Sequence, residues 1–445
     1  MTQSPPDQPL RPVPSNVSRT VSRRSMLRGT AIGAGALAIP GALAACGKSG
    51  GSSGNSKTVT FGSNYSDAIP KKGIAAVMAA YQKSSGVSVK TNTQDHNSFQ
   101  ENISRYLQGN PEDVFSWFAG NRMKFFAAQG LATDISDVWA GLTGFSDALK
   151  KASTGEDGKQ YFVPLYNYPW AVFYRPSVWQ AKGWQVPKTL DDLTALCKTI
   201  KSSGMDAFAF ADKDGWPAMG TFDQINMRTN GYDFHISLMA GKESWTDPKV
   251  KQVFSTWASL LPYHQQGANG RIWQDAANSV QQKKSAMMVI GSGQIAQSFQ
   301  GSDATDLDFF PYPVINPDFG QDAVEAPIDG FMVAKKAKDI DAAKALMKFL
   351  GSPAAENAYQ SVDGGNIPTN SGADTSNFTP FQKKCQEYIA GAKQISQFMD
   401  RDTRPDFASQ VMIPSLQSFI NKPSDIDGLL KSIDAQAKSI FAQDN

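Results

Sequence analysis

The chain has few of the residues that most often build metal and catalytic centres. Its 445 residues include three histidines and three cysteines, and no HExxH or paired-cysteine spacing occurs among them. His235 lies in the apolar run YDFHISLM, where a packed, hydrogen-bonded histidine is the simpler interpretation. The sequence therefore predicts no metal, no cofactor and no catalytic set.

A surplus of charge of one sign is also missing. The formal net charge is +2, but residues 1–45 hold five of the 43 basic residues and one of the 41 acidic residues. The rest of the chain therefore has 38 basic and 40 acidic side chains, a net charge of −2. Binding to nucleic acid needs a basic face, so this balance argues against a nucleic-acid partner.

The apolar run near the N-terminus is too short for a membrane-spanning helix. Ala31–Ala45 has 15 residues, whereas a spanning helix needs roughly 20. The run follows Arg23 and Arg24, a pair typical of a twin-arginine signal, and it ends at Cys46 in a sequence that resembles a bacterial lipobox. We interpret residues 1–45 as a twin-arginine lipoprotein signal peptide and Cys46 as a lipidated residue that anchors the protein to the outer face of the cell membrane. The alternative is ordinary cleavage of a secreted protein, with Cys46 incidental.

Two further cysteines, Cys197 and Cys385, remain in the rest of the chain. Export would permit a disulfide between them. Cysteines in helical contexts are more often small core residues. We therefore expect two free thiols, with a bridge as the alternative.

The sequence does contain an alternation of strand and helix patterns. After a Ser/Gly tether over residues 46–56, a short strand at Thr58–Phe61 precedes a helix ended by Gly86. Further strands are predicted at 87–91 and 114–115, and the helices carry the apolar faces Ile74, Val77, Met78, Tyr81 and Phe99, Ile103, Leu107. This alternation predicts a parallel sheet covered by helices. Its ligand-binding loops should follow the carboxyl ends of the strands, at 62–67, 94–97 and 116–121.

The stretch from Gly158 to Asp192 indicates a crossing between two bodies. Pro164 and Pro169 interrupt an extended aromatic segment, and proline cannot lie in the middle of a central strand. Thr189 with an acid three residues later predicts a capping box at the start of a helix. The stretch therefore gives a strand, a turn and a helix on the far side of the crossing.

This stretch, GKQYFVPLYNYPWAVFYRPSVWQAKGWQVPKTLDD, resembles the signature of family 1 extracellular solute-binding proteins, the sugar receptors of ABC importers. The Gly-Lys-x-Tyr, the Pro-aromatic passage and the Pro-x-Thr before an acidic helix start carry the resemblance. It implies an α/β, two-lobed periplasmic-binding-protein fold of type II, in which two parallel or mixed sheets are flanked by helices and enclose a hinged cleft. An unrelated α/β hydrolase with a similar run is the alternative.

The resemblance also implies where the two lobes divide. FFPYPVINP, at 309–317, looks like a second crossing. The N-terminal lobe would then comprise 57–169 and 312–350, and the C-terminal lobe 170–311 and 351–445, with the chain after residue 350 packing mainly on the second lobe. Other predicted elements are strands at 170–174, 208–210, 286–290 and 327–334 and helices beginning near Asp247 and Asp341.

Sugar receptors combine aromatic rings, which cover C–H faces, with short polar side chains that bind hydroxyls. Trp117 stands where the resemblance places a sugar-contacting tryptophan, although a core position is the alternative. For the polar candidates a role as a turn former or helix cap is equally reasonable, and Trp216 could serve packing beside Pro217. The predicted ligand-binding residues are Asn64, Ser66, Asp95, His96, Trp117, Asn121, Tyr168, Trp170, Asp212, Trp216, Trp273 and Arg401, with Asp400 and Arg404 as weaker candidates.

The resemblance implies a function in transport. We expect the extracellular substrate-binding component of an ABC importer, a monomer that binds a mono- or oligosaccharide in the cleft and delivers it to the membrane permease without chemical change. One alternative is a secreted carbohydrate-active enzyme, for which Asp212 and Asp214 would be a possible acid pair. The other keeps the receptor but changes the ligand to a non-sugar polar solute.

Overall fold

A computed structural model describes residues 58–442 of the chain. The signal peptide, the lipidated Cys46 and the tether predicted above lie outside these residues. Among the described residues, no helix has the length and apolar character needed to cross a membrane.

The first part of the described chain alternates strands and helices, as its apolar periodicity predicts. Helix α1 buries Ile74, Val77, Met78 and Tyr81 and ends at Gly86, whose φ of 71° suits a residue without a side chain. The elements are β1 (Thr58–Ser63), α1 (Ala68–Ser85), β2 (Ser88–Thr93), α2 (His96–Gln108), β3 (Val114–Phe118), α3 (Asn121–Ala128), α4 (Ser136–Trp139), α5 (Asp147–Ala152) and β4 (Val163–Asn167).

The middle of the chain begins two residues after β4. Its first long helix starts with the predicted capping box, in which the side chains of Thr189 and Asp192 each accept a backbone hydrogen bond from the other residue. The elements are β5 (Trp170–Tyr174), α6 (Pro176–Lys182), α7 (Leu190–Ser202), β6 (Asp206–Phe208), α8 (Pro217–Met239), α9 (Pro248–Leu260), α10 (Trp273–Gln281), β7 (Ser285–Gly291), α11 (Ser292–Ile295) and β8 (Asp308–Phe310).

The last part of the chain is mostly helical. A short π-helical turn at 408–412 joins two of its helices. The elements are β9 (Ala323–Glu325), β10 (Ile328–Val333), α12 (Ile340–Leu350), α13 (Pro353–Gln360), β11 (Ile367–Pro368), α14 (Pro380–Ala390), β12 (Gln394–Ser396), α15 (Met399–Asp402), α16 (Pro405–Phe407), α17 (Ile413–Asn421) and α18 (Ile426–Phe441).

The strands form two larger sheets and one small one. The first sheet has the order β11-β4-β10-β3-β1-β2 and the second has the order β6-β7-β5-β8. Both are mixed. In the first sheet β1 runs parallel to β2 and β3, whereas β10 is antiparallel to β3 and β4. In the second sheet β6 runs parallel to β7, whereas β5 is antiparallel to β7 and β8. A short parallel pair, β9 and β12, is separate from both. The mixed α/β architecture predicted from the sequence is confirmed.

The chain passes between the sheets at Pro169, as predicted, but Pro164 does not interrupt the strand: it lies inside β4, opposite Gly330 at a register shift between β4 and β10. β4 belongs to the first sheet and β5 to the second, and only Tyr168 and Pro169 separate them. The chain returns between β8 and β10. The expectation that everything after residue 350 packs mainly on the second lobe needs one correction, because α13 packs on α1 and β11 pairs with β4. The apolar face of α13 is thus buried against the first sheet's helices.

Both cysteines in the described part of the chain are buried free thiols. Burial raises the pKa of Cys197 to about 12 and raises that of Cys385 as well. Cys197 lies on the buried face of α7 beside Leu193 and Ile200. The interpretation of these cysteines as small core residues is confirmed.

Candidate functional site

A small cavity lies where elements of the two larger sheets meet, and we call it the inner cavity. The space open to water inside it is about 50 Å³. Its wall is formed by His96, Gln100, Phe118, Tyr168, Trp170, Trp216, Gln294, Asp329, Phe398, Asp400 and Arg401. Strands β3 and β10 and helix α2 supply part of the wall, and β5, α11 and the residue before α8 supply another part. The cavity therefore depends on both sheets.

Arg401 is the fixed cation of the inner cavity. Its guanidinium lies 2.6 Å from Oδ1 of Asp329 and 4.2 Å from the centre of the Phe118 ring, and it donates to the Tyr168 hydroxyl at 3.2 Å. Burial opposes its charged form, but the carboxylate of Asp329 and the phenol of Tyr168 outweigh that effect and raise the pKa of Arg401. The Tyr166 hydroxyl donates a hydrogen bond to the other oxygen, Oδ2 of Asp329, at 3.0 Å.

His96 adds a neutral imidazole to the wall. Its Nδ1 lies 3.3 Å from the carbonyl oxygen of Asn64, and its backbone N–H donates to Oγ of Ser66 at 3.1 Å. Burial lowers the pKa of His96. Because Nδ1 faces a carbonyl oxygen, it must carry the proton, which leaves Nε2 as an acceptor. Asn64 and Ser66, both predicted as ligand residues, therefore support His96 and do not line the inner cavity.

Three tryptophans predicted to bind ligand form a row. Trp170 and Trp216 line the inner cavity with ring centres 6.1 Å apart. Trp273 packs behind Trp216 at 6.3 Å and lines neither this cavity nor the one described next. The buried indole Nε1 atoms of Trp170 and Trp216 have no hydrogen-bond partner, and the same is true of Oε1 of Gln294. Unpaired buried polar atoms are costly, so Nε1 of Trp216 and Oε1 of Gln294 suit a polar ligand, whereas Nε1 of Trp170 lies against Gly220 of α8.

A second, larger cavity adjoins the first, and we call it the outer cavity. It holds about 240 Å³ and shares Gln100, Trp216 and Asp400 with the inner cavity. Arg122 lies in its wall with its guanidinium 5.4 Å from the Trp117 ring and 3.4 Å from Asp400. The other residues of the wall are Asn97, Glu101, Ile103, Ser104, Trp117, Phe125, Phe126, Asp214, Pro405, Asp406, Ser409, Gln410 and Ile413.

Trp117 lies within a strand and not in the loop predicted from the sequence. β3 continues to Phe118, so the prediction of a loop from residue 116 is wrong at its start. The ring is 1% exposed and packs against Phe99 and Phe126, and its Nε1 donates to the carbonyl oxygen of Arg122 at 3.3 Å. Trp117 therefore reaches the outer cavity from a core position.

Three polar candidates have structural contacts. Asp95 is the N-cap of α2, with Oδ1 accepting from the Ser98 N–H at 2.9 Å. Asn121 donates to the carbonyl oxygen of Asp402 at 2.7 Å. Asp212 is fully buried, and its Oδ1 accepts from the Ala218 N–H at 2.8 Å, at the start of α8. None of the three lines the inner or the outer cavity.

The structure adds wall residues that the sequence interpretation missed. The inner cavity also contains Gln100, Phe118, Gln294, Asp329 and Phe398. Asp329 had a usable signal, because it is a lone acid in the otherwise apolar strand segment IDGFMV, and a buried charge in a strand needs a partner. His96, Tyr168, Trp170, Trp216 and Arg401 were predicted, and as ligand contacts they stay predictions.

No group of three or more histidine, cysteine or acidic side chains between residues 58 and 442 could hold a metal ion.

Two mixed sheets joined by short crossings, with a cavity where they meet, define a two-lobed receptor of the periplasmic-binding-protein class. The sequence profile described as bacterial extracellular solute-binding protein matches residues 76–386. The chain belongs to this family, and the expected role as the extracytoplasmic substrate-binding component of an ABC importer is confirmed at that level.

Individual relatives agree with this assignment. The bacterial solute receptor AcbH, described as having an exclusive substrate preference for β-D-galactopyranose, is 48% identical with a TM-score of 0.85, over 87% of this chain and 100% of AcbH. An uncharacterized ABC transporter extracellular-binding protein of Pyrococcus horikoshii is 26% identical, and the match spans 63% of each chain. The alpha-glucosides-binding periplasmic protein AglE of Rhizobium meliloti is 23% identical over 69% of each chain.

Proposed function

We propose that the protein binds one hexopyranose of the β-D-galactopyranose class across the inner cavity and the adjoining outer cavity, because the inner cavity alone is too small for it, and delivers it unchanged to an ABC permease. The observation that carries this proposal is the Arg401–Asp329 ion pair fixed beside the aromatic rings of Trp170 and Phe118. A pyranose offers apolar C–H faces and hydroxyls that both donate and accept. The likeness to AcbH, at 48% identity, supports a galactopyranose over other sugars.

The polar atoms of the cavity suit hydroxyl groups of a sugar. The indole N–H of Trp216 can donate, and Oε1 of Gln294 can accept, whereas Nε1 of Trp170 lies against Gly220 of α8. Nε2 of His96 can accept as well, because Nδ1 carries the proton. A hydroxyl that meets one donor and one acceptor leaves neither group unpaired, so binding would relieve the cost of burying these atoms.

The lobes themselves belong to this proposal. The N-terminal lobe comprises 57–169 and 312–350 and the C-terminal lobe 170–311 and 351–445, with two exceptions: 353–368 pack with the first sheet, and 312–325 pack against α8 and the start of α7 in the second lobe. The hinge includes Tyr168 and Pro169, between β4 and β5. A ligand that touches both lobes at once favours the closed state because only that state makes all its contacts.

The anchoring of the protein is proposed from the sequence. The twin-arginine pair and Cys46 support export followed by lipidation. The lipid would hold a monomer at the outer face of the cell membrane, beside its permease. Acid pairing for hydrolysis has no comparable support, since Asp212 caps a helix away from both cavities.

A thermal-shift series tests the proposed function. D-galactose at 100 times its dissociation constant should stabilise the folded protein by about 2.7 kcal/mol, because it binds the folded state alone. Glucose, lactose, galactitol and a glycerophosphodiester are compared at equal concentration. The recovered sugar is analysed by chromatography, and a shortened or modified product would indicate an enzyme.

A matched pair of variants tests whether the sugar binds at these two cavities, both of which Trp216 lines. Trp216→Ala removes a wall residue and should abolish the shift with D-galactose. Trp184→Ala removes a tryptophan that packs on Trp179 and lies outside both cavities, and its shift should match that of the wild type. A galactose shift that survives in Trp216→Ala would place the sugar elsewhere, and no shift with any sugar would refute the function.

A further inference from the structure

Two hydrogen bonds connect elements of the two larger sheets beside the cavities. Nδ2 of Asn97, at the start of α2, donates to Oδ1 of Asp214 at 3.0 Å. Nε2 of Gln274, on α10, donates to Oδ1 of Asp67 at 3.2 Å. All four residues lie in the described chain. Asn97 and Asp67 belong to segments that flank the first sheet, and Asp214 and Gln274 to segments that flank the second.

On the first-sheet side, the two bonded residues are Asn97 and Asp67, and each lies next to a residue that positions His96 or to His96 itself. Asn97 directly follows His96, and Asp67 directly follows Ser66, whose Oγ accepts the His96 N–H. The loop containing Asn64 and Ser66 is thereby tied to α2. A displacement of Asn97 or Asp67 would therefore move the segment that places the His96 imidazole in the inner cavity.

On the second-sheet side, the two bonded residues are Asp214 and Gln274, and both lie close in sequence to the row of tryptophans. Asp214 lies two residues before Trp216, which lines both cavities. Gln274 directly follows Trp273, which packs against Trp216. The Asn97–Asp214 pair also forms part of the outer cavity wall. The two bonds therefore join the wall residues of one half to those of the other.

We propose that the Asn97–Asp214 and Gln274–Asp67 hydrogen bonds hold the lobes closed and set the rate of ligand release. This inference rests on the proposed function for its ligand but not for its geometry. Bonds that can form only after the lobes meet stabilise the closed state and contribute little to the encounter with the sugar. Their loss should speed dissociation and leave association nearly unchanged.

Charge substitutions test the first bond. Asn97→Asp sets a second carboxylate against Asp214, and at pH 7.5 the dissociation rate of D-galactose should rise about tenfold, since a charge-assisted hydrogen bond is lost and like charges meet. Stopped-flow tryptophan fluorescence measures the association and dissociation rates separately. The swapped variant Asn97→Asp with Asp214→Asn reverses donor and acceptor and should restore slow release.

The chain offers a matched control in the same half. Nδ2 of Asn92, on β2, donates to Oε1 of Glu112 at 2.9 Å, within the first sheet's own surroundings. Asn92→Asp makes the same chemical change against a carboxylate but bridges no lobes. Its release rate should equal that of the wild type. Gln274→Glu, which faces Asp67, should behave like Asn97→Asp.

The outcomes decide the proposal separately from the function. If Asn97→Asp releases sugar no faster than Asn92→Asp, or if the swapped variant does not recover, the bonds do not control release. If the wild type binds no sugar, the proposed function fails. Small-angle scattering of the sugar-free wild type and variants then tests whether the two hydrogen bonds hold the lobes closed. A larger radius of gyration in Asn97→Asp that the swap reverses supports the closing role, and equal radii overturn it.

Discussion

Arg401 is held from three sides before any ligand arrives. Asp329 neutralises its charge, Tyr168 accepts a hydrogen bond from it, and the Phe118 ring lies under its guanidinium plane. An arginine fixed in this way presents its remaining N–H groups without a further loss of side-chain entropy. This single side chain therefore joins a strand of the first sheet to the residue at the crossing.

Arg401→Lys should weaken binding although it keeps the charge. A lysine cannot keep the planar stacking on Phe118 and the contacts to both Asp329 and Tyr168. Losing a hydrogen bond to a charged group costs about 1.5–3 kcal/mol, so the dissociation constant for D-galactose measured by calorimetry should rise at least about tenfold.

Arg175→Lys is the control for that substitution. Arg175 pairs with Asp303 and Asp306 and lies over the Phe299 ring, outside both cavities, so the affinity of this variant for D-galactose should stay near that of the wild type. Equal loss of affinity in both variants would mean that Arg401 acts through general packing and not in the cavity.

The buried carboxyl of Asp212 should make the free energy of unfolding depend on pH. Burial raises its pKa to about 8, with a smaller contribution from Asp214, against the hydrogen bond from the Ala218 N–H. A carboxyl whose pKa is raised by folding stabilises the folded state below its unfolded pKa of about 3.9, and this contribution is lost as pH rises towards 8.

Asp212→Asn keeps the oxygen that caps α8 but cannot ionise. Its unfolding free energy relative to the wild type should therefore increase between pH 4 and pH 8, by at most about 1.4 kcal/mol per pH unit. Urea unfolding at pH 5 and pH 8 measures this difference. A constant difference across that range would mean that the buried carboxyl is not protonated in the folded protein.

At the scale of elements, the first turn of α8 determines where Trp170 lies. A Cβ atom placed at Gly220 would lie 2.3 Å from Cε2 of Trp170. The helix can therefore approach the indole only because this position has no side chain. Gly220 thus allows α8 to fix one wall of the inner cavity.

Gly220→Ala should displace Trp170 and weaken sugar binding. The backbone at this position needs no left-handed conformation, so the effect comes from overpacking, at about 1–3 kcal/mol of unfolding free energy. Gly270→Ala is the control, since nothing lies within 4 Å of a Cβ there. Unchanged galactose affinity in Gly220→Ala would show that the ring tolerates displacement.

Elements with one buried face could be predicted from the sequence. For fully buried elements the first and last residues could not be predicted. In α2 the buried residues are Phe99, Ile103 and Leu107, as their spacing predicts. In β3 every residue is buried, so VFSWF shows no alternation that would mark its end. The predicted loop at residue 116 failed for this reason, and Trp117 lies inside β3 and not in a loop after it.

At the scale of the whole molecule, the α/β fold and the sheet crossing at Pro169 followed from local patterns. The site followed only in part. His96, Trp216 and Arg401 lie in segments that the sequence singled out, and they meet in one cavity. Asp329 could have been singled out as a lone acid in an apolar strand, but its meeting with Gln294 of α11 depends on how β10 and the end of β7 are positioned by distant strands. Short-range spacing carries no information about that packing.

The order in which the chain is synthesised separates the scaffold from the site. Every strand of the two larger sheets lies at or before Pro368, but Phe398, Asp400 and Arg401 come later. A nascent chain that ends just after Pro368 contains every strand of both sheets but lacks Arg401, the cation of the inner cavity. In that chain Asp329 has no ion-pair partner from Arg401. The receptor therefore becomes competent to bind only near the end of its own translation.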